Sequence, residues 1–393
     1  MSVGIVVAVV GAAPAAFAFY QLVLAMAAFL GRDDQPVEPP RTRVTVVVPA
    51  HDEEVLIERC VRSLREQVYP SELLEVVVVA DNCTDSTPDR ARAAGARVLV
   101  RNEPDARGKG RALRWAFDRL SREGPAPDAF IVVDADSVAS PTLVACLARR
   151  FEHGAAAVQG ESLLIDDGSA ASAYRAAAFL LINSVRPAGR AALGLPVRLA
   201  GTGMLLGRAL LDVHPWNAFS STEDLEYSLE LRTAGVGVAF ARGAIVRSPT
   251  APNAAAAVEQ QLRWEGGKLH FLRTRLPGLL ARAVRERRAD LLDEAVEVAM
   301  PPLGLLVLLS GLGGAVAATL VAFGLAPVWT IVPWLGAVAT IHAYVLVGLR
   351  AARAPASAYR GVAFAPVFIL AKLRHVRRFA SFRADTWVRT QRT

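Results

Sequence analysis

The amino-acid sequence predicts an α/β protein with a largely parallel sheet, carried between apolar helices that belong in a membrane. Short β-branched runs at 44–48, 75–80, 96–100 and 129–133 alternate with stretches of helical period, the pattern of βαβ units. Uncharged segments long enough to cross a bilayer lie towards both ends of the chain. The composition agrees: 393 residues that are 53% hydrophobic, with a mean hydropathy of +0.32, are too apolar for soluble domains alone.

The membrane elements come first along the chain. Residues 3–30, "VGIVVAVVGAAPAAFAFYQLVLAMAAFL", carry no charge, and a spanning helix needs only about 20 such residues. Pro14 predicts a kink, and the lack of a basic n-region before the run together with its length argue for an uncleaved anchor over residues 1–31 rather than a signal peptide. A Pro-rich linker over 32–43 holds Arg32, Arg41 and Arg43, a basic flank that predicts a cytoplasmic domain and an outward amino terminus. After that domain, at 44–275, an interfacial or connecting helix is expected over 276–297. Residues 298–349, broken by "FGLAPV", read as a hairpin of two spans, and Arg350 and Arg353 return the chain to the cytoplasmic side. The remainder, 350–393, holds "GVAFAPVFILAKL" at 361–373, too short to span and better read as an interfacial or re-entrant helix, followed by a basic tail. These features predict a multi-pass protein of the plasma membrane.

Charge and cysteine usage narrow the partners. The formal charge of +7 comes almost entirely from Arg, which suits anionic headgroups or phosphorylated ligands. No basic block interleaved with aromatics occurs, so nucleic acid is not an expected partner. Cys60, Cys83 and Cys146 show no paired spacing and read as free thiols of a reducing compartment.

Within the α/β stretch, "EEVLIERCVRSLREQ" puts Val55, Ile57, Cys60, Val61 and Leu64 on or near one helix face. Parallel sheets bind ligands at the carboxyl ends of their strands, and there Asp81 ends "EVVVVAD". The strand ending "FIVVDADS" offers Asp134 and Asp136 at i and i+2, which point the same way in extended chain. Such oxygen ligands suit Mg²⁺ or Mn²⁺ shared with a diphosphate, although DxD pairs also cap turns. "STEDLEYSLEL" starts a helix with Ser221 or Thr222 as N-cap. Its acids either serve as caps alone or leave Asp224 ionised by the helix dipole as a general base. "EQQLRW" sets Gln260, Arg263 and Trp264 on one helix face, fit for phosphate and a sugar ring or for the membrane surface. Among the few lysines, Lys109 lies in the Gly-flanked "RGKGRAL" and Lys268 closes "EQQLRWEGGK", whereas Lys372 belongs to no such motif.

Taken in order, "PAHDEE", "ADNCTDST", "RGKGRAL", "VVDADS", "GTGMLLGR", "STEDLE" and "QQLRW" resemble the motif series of membrane-bound family 2 glycosyltransferases, the relatives of cellulose, hyaluronan and poly-N-acetylglucosamine synthases. The resemblance covers roughly residues 44–270 and extends to the flanking membrane segments. It implies a GT-A fold and an inverting hexosyl transfer from a nucleotide sugar, usually a UDP-sugar, with a divalent metal. Pro49, Ala50, His51 and Glu53 would then border the nucleoside, Asp81 the uracil, and Lys109 and Asp134 the donor phosphate or ribose. Asp136, with Asp134, would hold Mg²⁺ or Mn²⁺. Within the TED motif, Asp224, beside Glu223, would take the acceptor proton, and Gln260, Arg263 and Trp264 would close over diphosphate and acceptor sugar. Gly201 and Gly203 would let the backbone approach that acceptor closely.

Two positions depart from the family pattern: His51-Asp52 replaces an aromatic followed by Asn, which bears on base selectivity, and Ser137 stands where processive members often place His. With few spans to wall a pore, the expected acceptor is a lipid or lipid-linked glycan, with membrane lipids around it, and an oligomer or export subunit would be needed to complete a channel. A processive exopolysaccharide synthase and a non-catalytic, membrane-tethered nucleotide sensor are the alternatives.

Overall fold

The computed structural model of the protein describes residues 3–31, 39–251 and 253–372; for 254, 255, 371 and 372 it describes the backbone alone. Arg32, Arg374, Arg377 and Arg378, most of the linker and the basic tail from Leu373 onward lie outside the described residues. The chain forms two compact units, one from residues 3–31, 166–193 and 295–372, the other from 39–165 and 194–294.

The second unit is built on one eight-stranded sheet. Its strands are β1 (Val44–Ala50), β2 (Leu74–Asp81), β3 (Arg97–Arg101), β4 (Ala129–Val132), β5 (Val138–Ala139), β6 (Ala157–Leu164), β7 (Met204–Gly207) and β8 (Val238–Ser248). They lie in the order β3-β2-β1-β4-β7-β6-β8-β5, so the expected parallel core is β3-β2-β1-β4. β7 runs antiparallel to both β4 and β6, β6 is parallel to β8, and short β5 lies antiparallel on β8. β1 lies inside the parallel part and is covered on both faces, which is why "VTVVV" is buried without alternation. Strand order reverses at β1, with β2 on one side and β4 on the other, and this topological switch opens the crevice where such sheets take ligands.

Helices Ile57–Arg65 and Leu143–Glu152 bury Cys60, Val61, Leu64, Leu143, Cys146 and Leu147 against the sheet. Val55 departs from the sequence reading: it is 71% exposed, because residues 54–56 form a turn and the helix begins only at Ile57.

Among the described residues of the first unit, three helices are long and apolar enough to cross a membrane: Val3–Leu30, Leu303–Ala322 and Val328–Ala351. They interlock through small residues, as helices in lipid do. A Cβ at Gly11 or Gly313 would fall within 2.8 Å of the Trp334 ring, so the indole fills a slot that these glycines leave open. Residues 170–192, inside the stretch assigned from sequence to the cytoplasmic domain, pack in this unit as one helical run with a π-helical turn at Leu181–Val185. Gly189 abuts the Leu24 carbonyl, and Glu297 accepts from Arg186 at 2.5 Å and pairs with Arg190 at 3.1 Å. The segment read as one interfacial helix is two short ones, Ala356–Ala363 and Ala365–Lys372, parted at Phe364, with Pro366 in the first turn of the second, where its missing N–H costs no helix bond.

Candidate active site

At the carboxyl end of β1 the chain turns through Asp52, held at φ 50°, and at the end of β2 through Asn82, at φ 52°. The turns are tied together: His51 Nδ1–H donates to the Asp81 carbonyl at 2.7 Å, and Thr87 Oγ1 accepts from the Glu53 amide at 2.7 Å. Pro49 and Ala50 form the strand end beneath them.

Asp81 is 5% exposed, and its carboxylate is held by Arg101 Nη1 at 2.5 Å, Asn82 Nδ2 at 2.8 Å and the Gly108 amide. Burial pushes its pKa up, and the hydrogen bond and charge of Arg101 oppose the rise without cancelling it. Arg101, itself buried, goes on to Glu103 Oε2 at 2.7 Å and the Ala106 carbonyl at 2.8 Å, so it also ties down the loop leading to Lys109. Sequence reasoning passed over Arg101. Its signal was an arginine closing the apolar run "VLV", at the register position facing Asp81.

Lys109 is the hub of the site. Gly108, at φ 118°, turns the chain into helix Lys109–Leu120, and Gly110 lies so close to the Ala218 carbonyl that a Cβ would stand 2.1 Å from it. Thus fixed, Lys109 Nζ lies 2.7 Å from Asp134 Oδ1, 2.7 Å from the Gly201 carbonyl and 3.4 Å from Glu223 Oε1. Burial would lower its pKa, but Asp134 and Glu223 outweigh burial and push it upward, so the ammonium is charged.

Asp136 accepts from Ser137 Oγ at 3.0 Å, and Ser137 reaches Ser248 Oγ at 2.7 Å, which pins the DxD turn to the end of β8. The pair offers hard carboxylate oxygens, a donor set that fits Mg²⁺ or Mn²⁺, with Asp134 also committed to Lys109. Among the described residues, Asp52, Cys83 and Asp85 also cluster as possible ligands. Burial pushes the Cys83 thiol up to about 11, and both carboxylates already accept from local hydroxyl or amide groups, so this group serves the turn.

The floor is the loop at 200–203, with Gly201 at φ 75° and Gly203 at φ 64°. A Cβ at Gly201 would meet Lys109 Nζ at 3.3 Å and Asp224 Oδ2 at 3.5 Å, so the bare backbone lies directly against both groups. Asp224 belongs to helix Glu223–Thr233, where Thr222 is the N-cap but its hydroxyl makes no cap bond. The dipole-ionised carboxylate expected there is corrected: burial and the Glu223 charge raise the pKa of Asp224 to about 7, against the pull of Lys109. The helix amide field is weaker than desolvation beside a second acid.

Gln260, Arg263 and Trp264 lie on helix Ala254–Arg285. Gly267 of that helix touches Thr222, whose Cγ2 would be 2.6 Å from a Cβ at this position. Being i+4 from Arg263 and i+3 from Trp264, Gly267 shares their face, so that face runs beside the TED motif. Trp264 keeps 43% of its surface exposed. The structure thereby gathers Asp134, Lys109, Gly201, Glu223 and Asp224 closely, sets His51, Glu53 and Asp81 at or just beyond the adjoining strand ends, and runs the helix of Gln260, Arg263 and Trp264 past Thr222.

Residues 39–267 match the family described as "Glycosyltransferase like family 2". The chain belongs to this family. Among similar proteins, the probable glycosyltransferase YdaM of Bacillus subtilis is 25% identical over 244 residues, 58% of this chain and 56% of its own. The beta-monoglucosyldiacylglycerol synthase of Synechocystis sp. is 26% identical over 241 residues, 59% of this chain and 49% of its own. The chain thus spans about half the length of the curated relatives it matches. A solved mannosyltransferase, PcManGT from Pyrobaculum calidifontis in complex with GDP-Man and Mn²⁺, superposes at a TM-score of 0.50 and 20% identity, covering 87% of this chain and 99% of its own. That likeness bears on fold alone, and the fold of this family 2 chain is the expected GT-A arrangement.

Proposed function

We propose that the chain is an inverting glycosyltransferase that moves a hexosyl or N-acetylhexosaminyl group from a UDP-sugar to a lipid or lipid-linked acceptor at the cytoplasmic face of the plasma membrane. The observation that carries this reading is the Lys109 cluster, which puts a cation between the DxD carboxylate Asp134 and the acid pair Glu223 and Asp224. Direct displacement at an anomeric carbon needs a proton acceptor on one side and charge neutralisation of the leaving diphosphate on the other. Asp224 takes the proton of the acceptor hydroxyl as its oxygen bonds to C1; the bond from C1 to the diphosphate oxygen breaks, and UDP departs with those electrons. Asp136 and Asp134 would hold Mg²⁺ or Mn²⁺, which would neutralise diphosphate charge, and Lys109 adds its own positive charge. His51 and Asp81, fixed by Arg101, border the base, and Trp264 offers an apolar wall to the acceptor sugar.

A lipid acceptor is favoured by the diacylglycerol named in the Synechocystis relative and by the modest number of candidate spans, three among the described residues. The arginines flanking the spans, Arg41 and Arg43 after the first and Arg350 and Arg353 at the end of the third, support a cytoplasmic catalytic unit.

Purified protein in detergent, given labelled UDP-sugars and a membrane lipid extract, should place label in the organic-soluble fraction. Label confined to a long lipid-free polymer would support the exopolysaccharide synthase, and no nucleotide release from any donor would support the sensor. Asp136→Ala should abolish the metal dependence of UDP binding in calorimetry with and without Mn²⁺. Unchanged metal dependence in that variant would remove the DxD turn from the metal site.

A further inference from the structure

The glycine-rich floor has little side-chain mass of its own, yet it holds Lys109 and touches Asp224. Gly201 supplies the carbonyl that Lys109 Nζ bonds at 2.7 Å, and Thr202 Oγ1 accepts from the Asp134 amide at 3.1 Å. Two left-handed glycines in four residues leave such a loop many conformations, so something must fix this one.

Gln159 does so from beneath. It lies on β6 with 2% exposure. Its Oε1 accepts from the Ala200 amide at 2.8 Å; its Nε2 donates to the Thr202 carbonyl at 2.8 Å, with Gly160 and Gly203 carbonyls at 3.0 and 3.3 Å. One primary amide thus serves both ends of the loop, which a hydroxyl or an apolar side chain cannot do. The backbone is shaped to deliver it: the β6–β8 register slips between Gln159 and Glu161, and bulges of this kind re-aim side chains beside active sites. Gly160 makes the slip possible, since a Cβ there would lie 2.4 Å from the Ala244 carbonyl.

We infer that Gln159 is a positioning residue: it sets the height of the Gly201 carbonyl and thereby holds Lys109 between the donor-side Asp134 and the acceptor-side Glu223 and Asp224. This rests on the transferase reading for its consequence, but the structural part needs no turnover to be seen. Its effect falls on the chemical step, because the base-binding end is held separately by His51, Asp81 and Arg101.

The test uses the full-length protein in detergent with Gln159→Leu, nearly isosteric but without polar atoms, and Gln159→Glu. Gln159→Leu should lower kcat roughly 10- to 100-fold, the scale of a small misplacement of reacting groups, while UDP affinity and donor KM stay near wild type. Hydrogen exchange should show the Ala200 amide, which donates to Gln159 Oε1, losing protection. In Gln159→Glu the carboxylate faces the Thr202 and Gly203 carbonyls at high pH, whereas the neutral acid at low pH restores an O–H donor. Its kcat relative to wild type should therefore climb as pH falls, with the Gln159→Leu ratio staying flat. Wild-type turnover in Gln159→Leu, unchanged exchange at the loop, or a loss of UDP binding in step with kcat would each overturn the inference. Failure of the wild type to transfer any sugar, with the exchange result as expected, would instead strike the transferase reading.

Discussion

Asp224→Asn is expected to lower sugar transfer by roughly 10²- to 10⁴-fold, the contribution of a positioned general base, while UDP binding remains. The substitution is nearly isosteric, and the amide oxygen can still accept from the Leu225 N–H that Asp224 Oδ1 accepts at 2.8 Å. In the wild type the pKa of about 7 requires transfer to rise with pH through neutrality as the carboxylate loses its proton. A flat profile across that range, or equal loss of binding and turnover in the variant, would return Asp224 to a structural role.

The same shift has a stability consequence of opposite sign to that of most acids. Burial and Glu223 raise the folded pKa of Asp224 above its ordinary value of 3.8, so the folded state binds its proton more tightly. That contribution is complete below the unfolded pKa and is lost as pH rises through about 7. Asp224→Asn, which carries no charge to desolvate, should therefore melt higher than wild type at pH 8 and lose that advantage at low pH.

These effects show where the sequence was legible. Asp81, Asp134 and Asp136 stand at strand ends, and strand ends can be read from one run of residues at a time. Lys109 stood out because lysine is scarce in this chain and the loop holding it is flanked by glycine. Arg101 and Gln159 were not found, since their meaning lies in partners on other strands and loops: Arg101 faces Asp81 across the β2–β3 pairing, and Gln159 reaches a loop about forty residues on. The charge state of Asp224 was misread for a related reason. A helix start is local and visible, but the burial that overrides its dipole depends on the Gly201 backbone and Lys109 closing in from other elements. Residues 170–192 are amphipathic rather than continuously apolar, so hydropathy alone did not join them to the membrane helices.

Lys109→Met should be the most damaging single change, because it removes a cation bonded to both Asp134 and Glu223. Breaking a buried ion pair costs about 3–5 kcal/mol, and the partial exposure of this lysine puts the expected loss near 3 kcal/mol at neutral pH. Transfer should vanish as well, since donor charge and the base lose the same partner. The pH dependence identifies the cause. With the ammonium gone, Asp224 titrates above its present value of about 7, so the stability deficit relative to wild type must be largest around pH 8 and shrink as acidification neutralises the carboxylates. Adding Asp224→Asn to Lys109→Met should restore part of the lost stability, because the second change removes one of the charges the first leaves uncompensated. Thermal melts of the wild type, both single variants and the double variant form a cycle in which contacting groups give a non-additive term. Strict additivity at pH 8 would mean that Lys109 stabilises the unit by packing its methylenes, and that the electrostatic coupling between the donor and acceptor sides of the site is absent.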